Sequence, residues 1–280
     1  MLKVDWEKRW EEKFEERQRL LREDDTIEYW SKRSEDYSDS RRTNNYEYGH
    51  KVLSTLMRYE VLRSDSEVLE IGPGPGTFII PFAKKIKKIT AVEPAKGMIK
   101  KIQENAKEER IENYEVIHKI WQGIDIAKIK RMYNLTICSI VLWMFKDVFH
   151  QIERMEQSSK EYCCIVTGTG NWDEEDEKLW QKVMGNAKKP DYGEYLLIYN
   201  ILYNNERSPN VKIIGYTSER SVKNMVAMKT AFFDRYIELT PEIKKVIEEH
   251  VLKGSYGGKC RKEAKAAVIW WKVHDKKDKL

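Results

Sequence analysis

Val68-Leu69-Glu70-Ile71-Gly72-Pro73-Gly74-Pro75-Gly76-Thr77 decides how this 280-residue chain is read. An apolar run stops at Ile71, and glycines then alternate with prolines. Glycine lets the backbone turn sharply and lie close to a ligand where a side chain would stand in the way. Such a loop between a strand and a helix can hold a nucleoside-bearing molecule. Downstream, Lys88-Ile89-Thr90-Ala91-Val92-Glu93 reads as the neighbouring strand and ends on a second acid. A carboxylate at that strand end accepts hydrogen bonds from both hydroxyls of a ribose.

The same texture continues outward from this pair. Short β-branched runs at 67–71, 88–93, 114–118, 134–140 and 162–168 alternate with amphipathic helical windows. That alternation predicts βα units, a parallel sheet and a doubly wound α/β fold. Further strands are expected at 210–216 and 264–274, with helices near 218–230 and 241–253 between them. Ahead of the sheet, Trp6, Trp10 and Phe14 recur every four residues on one helical stripe with Asp5 as its N-cap. Helices are also expected over Thr26 to Asp36 and from His50 to Leu62. The organisation read here is an N-terminal helical cap over 1–62, a main domain over 63–280, and a helical insertion at about 171–208.

Composition narrows the classes. There are 51 basic and 46 acidic side chains, a net +5 that is mild for this length and unlike the single-sign field of a dedicated nucleic-acid binder. No apolar window is long enough to span a membrane and the start carries no apolar signal segment, so a cytoplasmic location is expected. Cys138, Cys163, Cys164 and Cys260 read as reduced core thiols, and the scattered histidines suggest no metal site.

Glu-Ile-Gly-Pro-Gly-Pro-Gly followed by Ala-Val-Glu-Pro-Ala-Lys-Gly-Met-Ile resembles the class I S-adenosylmethionine-dependent methyltransferases, in particular their broad small-molecule group, over about residues 66 to 170. The resemblance implies a Rossmann-like seven-stranded sheet whose last two strands form an antiparallel pair. It implies S-adenosyl-L-methionine as cofactor, with Glu70, Gly72, Gly74 and Gly76 forming its loop and Glu93 taking the ribose. Met98 falls where the family presents an apolar side chain to adenine, and reads equally as helix core. Gln122 stands about where an acid often accepts the adenine amino group, and Trp121 beside it reads as a stacking partner or a buried anchor. Ser139 would lie near the sulfonium, and Tyr37 in the upstream helix is the candidate for its methionine end. Tyr29, Trp30, His50, Trp143, Asn171 and Trp172 are candidates for the acceptor pocket, though aromatic residues on such elements also serve plain packing.

Methyl transfer to a small organic acceptor is the function this reading implies, with no general base named. Two other classes stay open. An RNA or protein methyltransferase would use Lys84, Lys85, Lys87, Lys88, Lys96, Lys100 and Lys101 as a phosphate-facing patch. A catalytically silent cofactor binder would act through the Trp6, Trp10, Phe14 helix.

Overall fold

A computed structural model describes residues 4–22, 26–170, 174–191 and 195–273. In chain order these form α1 (Trp6–Leu20), α2 (Thr26–Lys32), α3 (Ser34–Thr43), α4 (Glu47–Arg58), β1 (Glu67–Ile71), α5 (Ile79–Ala83), β2 (Lys88–Val92), α6 (Lys96–Glu108), β3 (Tyr114–Ile117), β4 (Tyr133–Ser139), α7 (Val148–Ser158) and β5 (Ser159–Gly168). Then come α8 (Glu174–Met184), α9 (Tyr195–Asn204), β6 (Asn210–Ser221), α10 (Val222–Asp234), α11 (Pro241–Lys253) and β7 (Lys259–Lys272).

The sheet has seven strands in the order β3-β2-β1-β4-β5-β7-β6. The first five run parallel, while β7 lies antiparallel between β5 and β6. This is the Rossmann-like arrangement expected. Order reverses between β1 and β4, so the crevice outside their carboxyl ends is where such sheets bind ligands.

Both faces of the sheet are covered, which explains why its parallel strands are continuous apolar runs. On one face Val52, Leu53 and Leu56 of α4, Phe82 of α5 and Ile102 of α6 join Val68 and Ile89 in one core cluster. On the other, Leu69 and Ile71 meet Ile152 of α7, Leu197 and Ile201 of α9, and Trp10 of α1. Each fully buried aliphatic side chain stabilises by about 1.5–3 kcal/mol. The aromatic stripe of α1 therefore docks on the protein: the Trp10 indole N–H donates to the Phe145 carbonyl at 2.8 Å, and Asp5 caps the helix through the Lys8 amide. A third cluster, with Trp180, Phe233 and Ile247, joins α8, α10 and α11.

Several bounds differ from those the sequence suggests. The expected helix over 26–36 bends at Arg33, whose guanidinium turns back onto Asp36 at 2.6 Å, so α2 and α3 are separate. Helix α4 starts at Glu47 and stops at Arg58, before Glu60 in the left-handed region. The final hairpin is longer than its apolar runs: pairing continues to Ser221↔Lys259, and α10 begins only after Ser221, which caps it. The extra pairs project past the sheet and carry polar side chains, so no apolar alternation marks them.

Candidate functional site

At the carboxyl ends of β1, β2 and β4 lies a cavity of about 410 Å³, within the range of small-molecule sites. Its floor is the glycine loop. Gly72 and Gly74 have φ of +65° and +56°, a region that L side chains rarely adopt. A Cβ on Gly72 would stand 2.6 Å from Val141 Cγ2, and one on Gly74 3.1 Å from Tyr37 Cε1. The loop thus packs backbone directly against two cavity-lining side chains.

Two carboxylates border this loop. Glu93 is 5% exposed, and its Oε1 accepts the Ala95 amide at 2.8 Å. Burial pushes its carboxyl up to about 7, against the pull of the Ala95 and Gly74 amides. Glu70 is more deeply buried, at 1% exposure, and its Oε2 has no hydrogen-bond partner within the protein. Burial, and then the charge of Glu93, raise it well above the ordinary carboxylate range.

Glu70 Oε2 is one of four such atoms in this wall. Thr77 Oγ1, Trp30 Nε1 and Trp121 Nε1 are also buried and without a partner, and all four residues line the cavity. Buried polar groups are nearly always satisfied, so acceptors and donors left open around one cavity point to a ligand that supplies the counterparts. A nucleoside bearing an amino acid offers an amine, hydroxyls and a heteroaromatic edge. The residues present fit such a molecule.

Of the residues singled out in the sequence, Glu70, Gly72, Gly74, Glu93, Met98, Trp121, Gln122, Ser139, Tyr37, Trp30 and Trp143 line this cavity. Three do not. Gly76 sits deeper, against Ile79, Ile80 and Ile102, and its φ of +92° requires glycine for the turn itself. Tyr29 turns its edge to Trp30 and its hydroxyl accepts from Arg33 at 3.0 Å. His50 is on the exposed face of α4, where burial of its ring and the charge of Lys84 hold its pKa below the usual value. Asn171 and Trp172 lie outside the described residues.

The wall also holds residues that the sequence did not mark as part of a site. Phe14 and Gln18 of α1 and Thr26 and Ile27 of α2 roof it, together with Trp30. Gly97 allows the roof to sit this close, since a Cβ there would meet the Ser31 carbonyl at 2.3 Å. Tyr48 of α4 reaches in from below, its hydroxyl 2.7 Å from Ser139 Oγ. Ile140 follows Ser139 with φ of +53°, a left-handed conformation unusual for a β-branched residue, and is 42% exposed at the cavity rim. Its carbonyl accepts the Trp143 indole N–H at 2.9 Å.

Several of the lysines considered as a phosphate-facing patch are paired with acids. Lys87 and Lys88 lie at the amino edge of the sheet, opposite the cavity, paired with Glu67 and Glu115 at 2.7 Å each. Lys84 pairs with Glu109, and Lys101 with Glu35 and Glu104. All four cysteines are buried and unpaired. Among the described residues no helix is long and apolar enough to cross a membrane, and no group of three His, Cys, Asp or Glu could hold a metal ion.

A family model described as ribosomal RNA adenine dimethylase matches residues 38–152. Ribosomal RNA small subunit methyltransferase A of Desulforapulum autotrophicum is 34% identical over 103 residues, 33% of this chain and 36% of that protein. Its counterpart from Methanosphaera stadtmanae is 27% identical over 96 residues, 34% of this chain and 35% of that protein. The match thus spans about a third of these curated relatives. Among solved structures, the YcgJ protein from Bacillus subtilis has a TM-score of 0.54 at 14% identity, covering 81% of this chain and 99% of its own. Magnesium protoporphyrin IX methyltransferase from Synechocystis, solved with bound S-adenosylhomocysteine, has a TM-score of 0.50 at 14% identity, covering 83% and 85%. Sheet order and glycine loop are those of the class I S-adenosylmethionine-dependent methyltransferase fold, which the match over residues 38–152 and the solved structures share.

Proposed function

We propose that the chain transfers a methyl group from S-adenosylmethionine to a small organic acceptor. The observation that carries this reading is the single cavity wall combining the bare glycine loop, the strand-end Glu93 and the four open polar atoms. Glu93 would accept from the ribose hydroxyls and Met98 and Trp121 would bound the adenine. Glu70 Oε2 and Tyr37 would face the methionine end. When bound, the cofactor supplies an activated methyl on a sulfonium leaving group. The protein's task is then alignment, since holding the acceptor in line at contact distance removes much of the entropic barrier. Ser139 and Tyr48 would present their hydroxyls to the acceptor's nucleophilic atom; burial holds the Tyr48 phenol well above its usual pKa, so it stays a donor. Residues 1–62 would act as the cap that selects the acceptor, because α1 and α2 roof the cavity with Phe14, Ile27 and Trp30. That roof and an apolar rim of Ile27, Ile120 and Ile140 suit a small apolar body better than a polynucleotide.

An RNA acceptor is the second reading, favoured by the ribosomal RNA adenine dimethylase match over 38–152. Purified protein incubated with methyl-labelled cofactor and, separately, a small-molecule extract, total RNA and a protein pool distinguishes them. Label in the small-molecule fraction is expected. Label in RNA alone replaces the first reading with the second, and cofactor binding without label in any pool leaves a silent binder.

A further inference from the structure

Tyr48 of α4 and Ser139 at the end of β4 both line the cavity, and their hydroxyls lie 2.7 Å apart. The pair carries two hydroxyl protons. One is spent on the bond they share, and among the described residues neither hydroxyl bonds any other group, so one proton is open to a ligand. The pair is a donor and not a base. Burial holds the Tyr48 phenol well above its usual range, and a serine hydroxyl takes a proton from nothing without a base of its own.

The rest of the wall offers the acceptor no base either. Among the described residues no histidine, lysine, arginine, cysteine or aspartate lines the cavity. Its two carboxylates, Glu70 and Glu93, border the glycine loop and serve the cofactor in the reading above. An acceptor whose nucleophilic atom carries a proton must therefore give it to water before it is methylated.

A donor beside the reacting atom also selects that atom. A neutral amine or ring nitrogen has one lone pair, and a hydrogen bond to it occupies the electrons needed for attack. An oxyanion has three, so it accepts the bond and still attacks. A thiolate is a weak acceptor and gains little. A carboxylate keeps its charge concentrated and leaves water only against a paired cation, which this wall lacks. A phenolate spreads its charge into a ring, and ring faces are what the wall supplies. Phe14 and Trp30 stand in the roof, Tyr37 lies 5.8 Å from Trp30 between centroids, and Trp143 forms the lip.

We propose that the acceptor is a phenol, or an enol of similar acidity, bound as its oxyanion with the open proton of the Tyr48 and Ser139 pair donated to that oxygen. The inference rests on reading the cavity as the methyl-transfer site and names its substrate class. A lone pair of the oxyanion forms the new oxygen–methyl bond as the sulfur–methyl bond breaks, and the electrons of the broken bond stay on sulfur. The products are an aryl or enol methyl ether and S-adenosylhomocysteine, the acceptor's proton having already gone to water.

Two measurements test this. In the first, para-nitrophenol, whose anion is yellow, is titrated into protein saturated with S-adenosylhomocysteine. It should bind with its ionised fraction increased, and the double variant Tyr48→Phe, Ser139→Ala should lose at least tenfold in that affinity, the scale for a hydrogen bond to a charged group. Neutral bound para-nitrophenol, no binding at millimolar concentration, or equal binding by a folded double variant overturns the proposal. In the second, the products formed by wild type from a small-molecule extract and methyl-labelled cofactor are sorted chemically. Label is expected in neutral ethers that survive mild alkali. Label confined to esters that release methanol in alkali, to thioethers, or to methylated nitrogens held by a cation exchanger overturns the proposal and leaves the methyl-transfer reading standing. Should the double variant fail to fold, the wild-type colour change and the sorted products decide. Absence of any S-adenosylhomocysteine binding by wild type would instead refute the function proposed above.

Discussion

The two edges of the same sheet use similar polar side chains to opposite ends. At the amino edge, Lys87 and Lys88 are paired with Glu67 and Glu115, and the Asn113 amide reaches the Ala83 and Ile86 carbonyls at 2.9 and 3.1 Å. At the carboxyl edge, Glu70, Thr77, Trp30 and Trp121 keep buried polar atoms open. Fixed and satisfied polar groups serve stability, whereas groups held open at a cost persist where something else completes them. Substitutions at the two edges should therefore fail in different assays.

Gly74→Val should have the largest effect, since its side chain would enter the space between the loop and Tyr37 and would itself be strained at φ +56°. Loss of S-adenosylhomocysteine affinity by roughly a hundredfold or more, about 3 kcal/mol, is expected by calorimetry. Glu93→Ala should follow, weakening binding by about 1–3 kcal/mol, the scale for losing a charged hydrogen-bond partner.

Glu93 also carries a pH signature. Its carboxyl, raised from an ordinary 4.5 to about 7, makes the folded protein bind more protons than the unfolded chain between those values. Its contribution to the ligand-free protein's stability is thus fully present below pH 4.5 and is lost as pH rises to about 7. Thermal melts of wild type should show this slope and Glu93→Gln a shallower one, since buried Glu70 still titrates high, while cofactor affinity, which uses the ionised form, should rise over the same window.

Ile140→Gly should move stability and activity in opposite directions. Relief of the left-handed β-branched conformation at φ +53° should stabilise by about 1 kcal/mol, while loss of the rim side chain should raise the acceptor KM. A fall in melting temperature would show instead that the rim conformation is unstrained. Lys88→Ala, at the other edge, should change stability by less than about 0.5 kcal/mol and leave cofactor affinity alone, because its pair with Glu115 is open to solvent.

The central strands were legible because burial on both faces writes them as uninterrupted apolar runs; β1 occupies 67–71 as read, and the glycine loop and Glu93 border the cavity. What the sequence concealed has physical reasons too. The outer half of the final hairpin is polar on both faces and carries no period. A stripe such as Trp10 and Phe14 announces burial without saying against what, and here one ring anchors in the core while the other roofs a cavity. Tyr48 stands just ahead of the helix read from His50 to Leu62, in a polar segment without a period, so only the fold brings its hydroxyl to Ser139. His50 shows the reverse, a chemically attractive side chain that helix phase turns outward.

Arg17 of α1 donates to the Trp143 carbonyl at 2.9 Å and to the Asp191 carbonyl at 2.5 Å, while Trp10 holds the Phe145 carbonyl. The ceiling is thereby riveted to the strip of chain that forms the opposite lip. If a nucleoside enters and leaves beneath this ceiling, those bonds would have to part together, and the dwell of spent cofactor would follow how often that seam opens. Weakening the seam would quicken turnover before it loosened equilibrium grip.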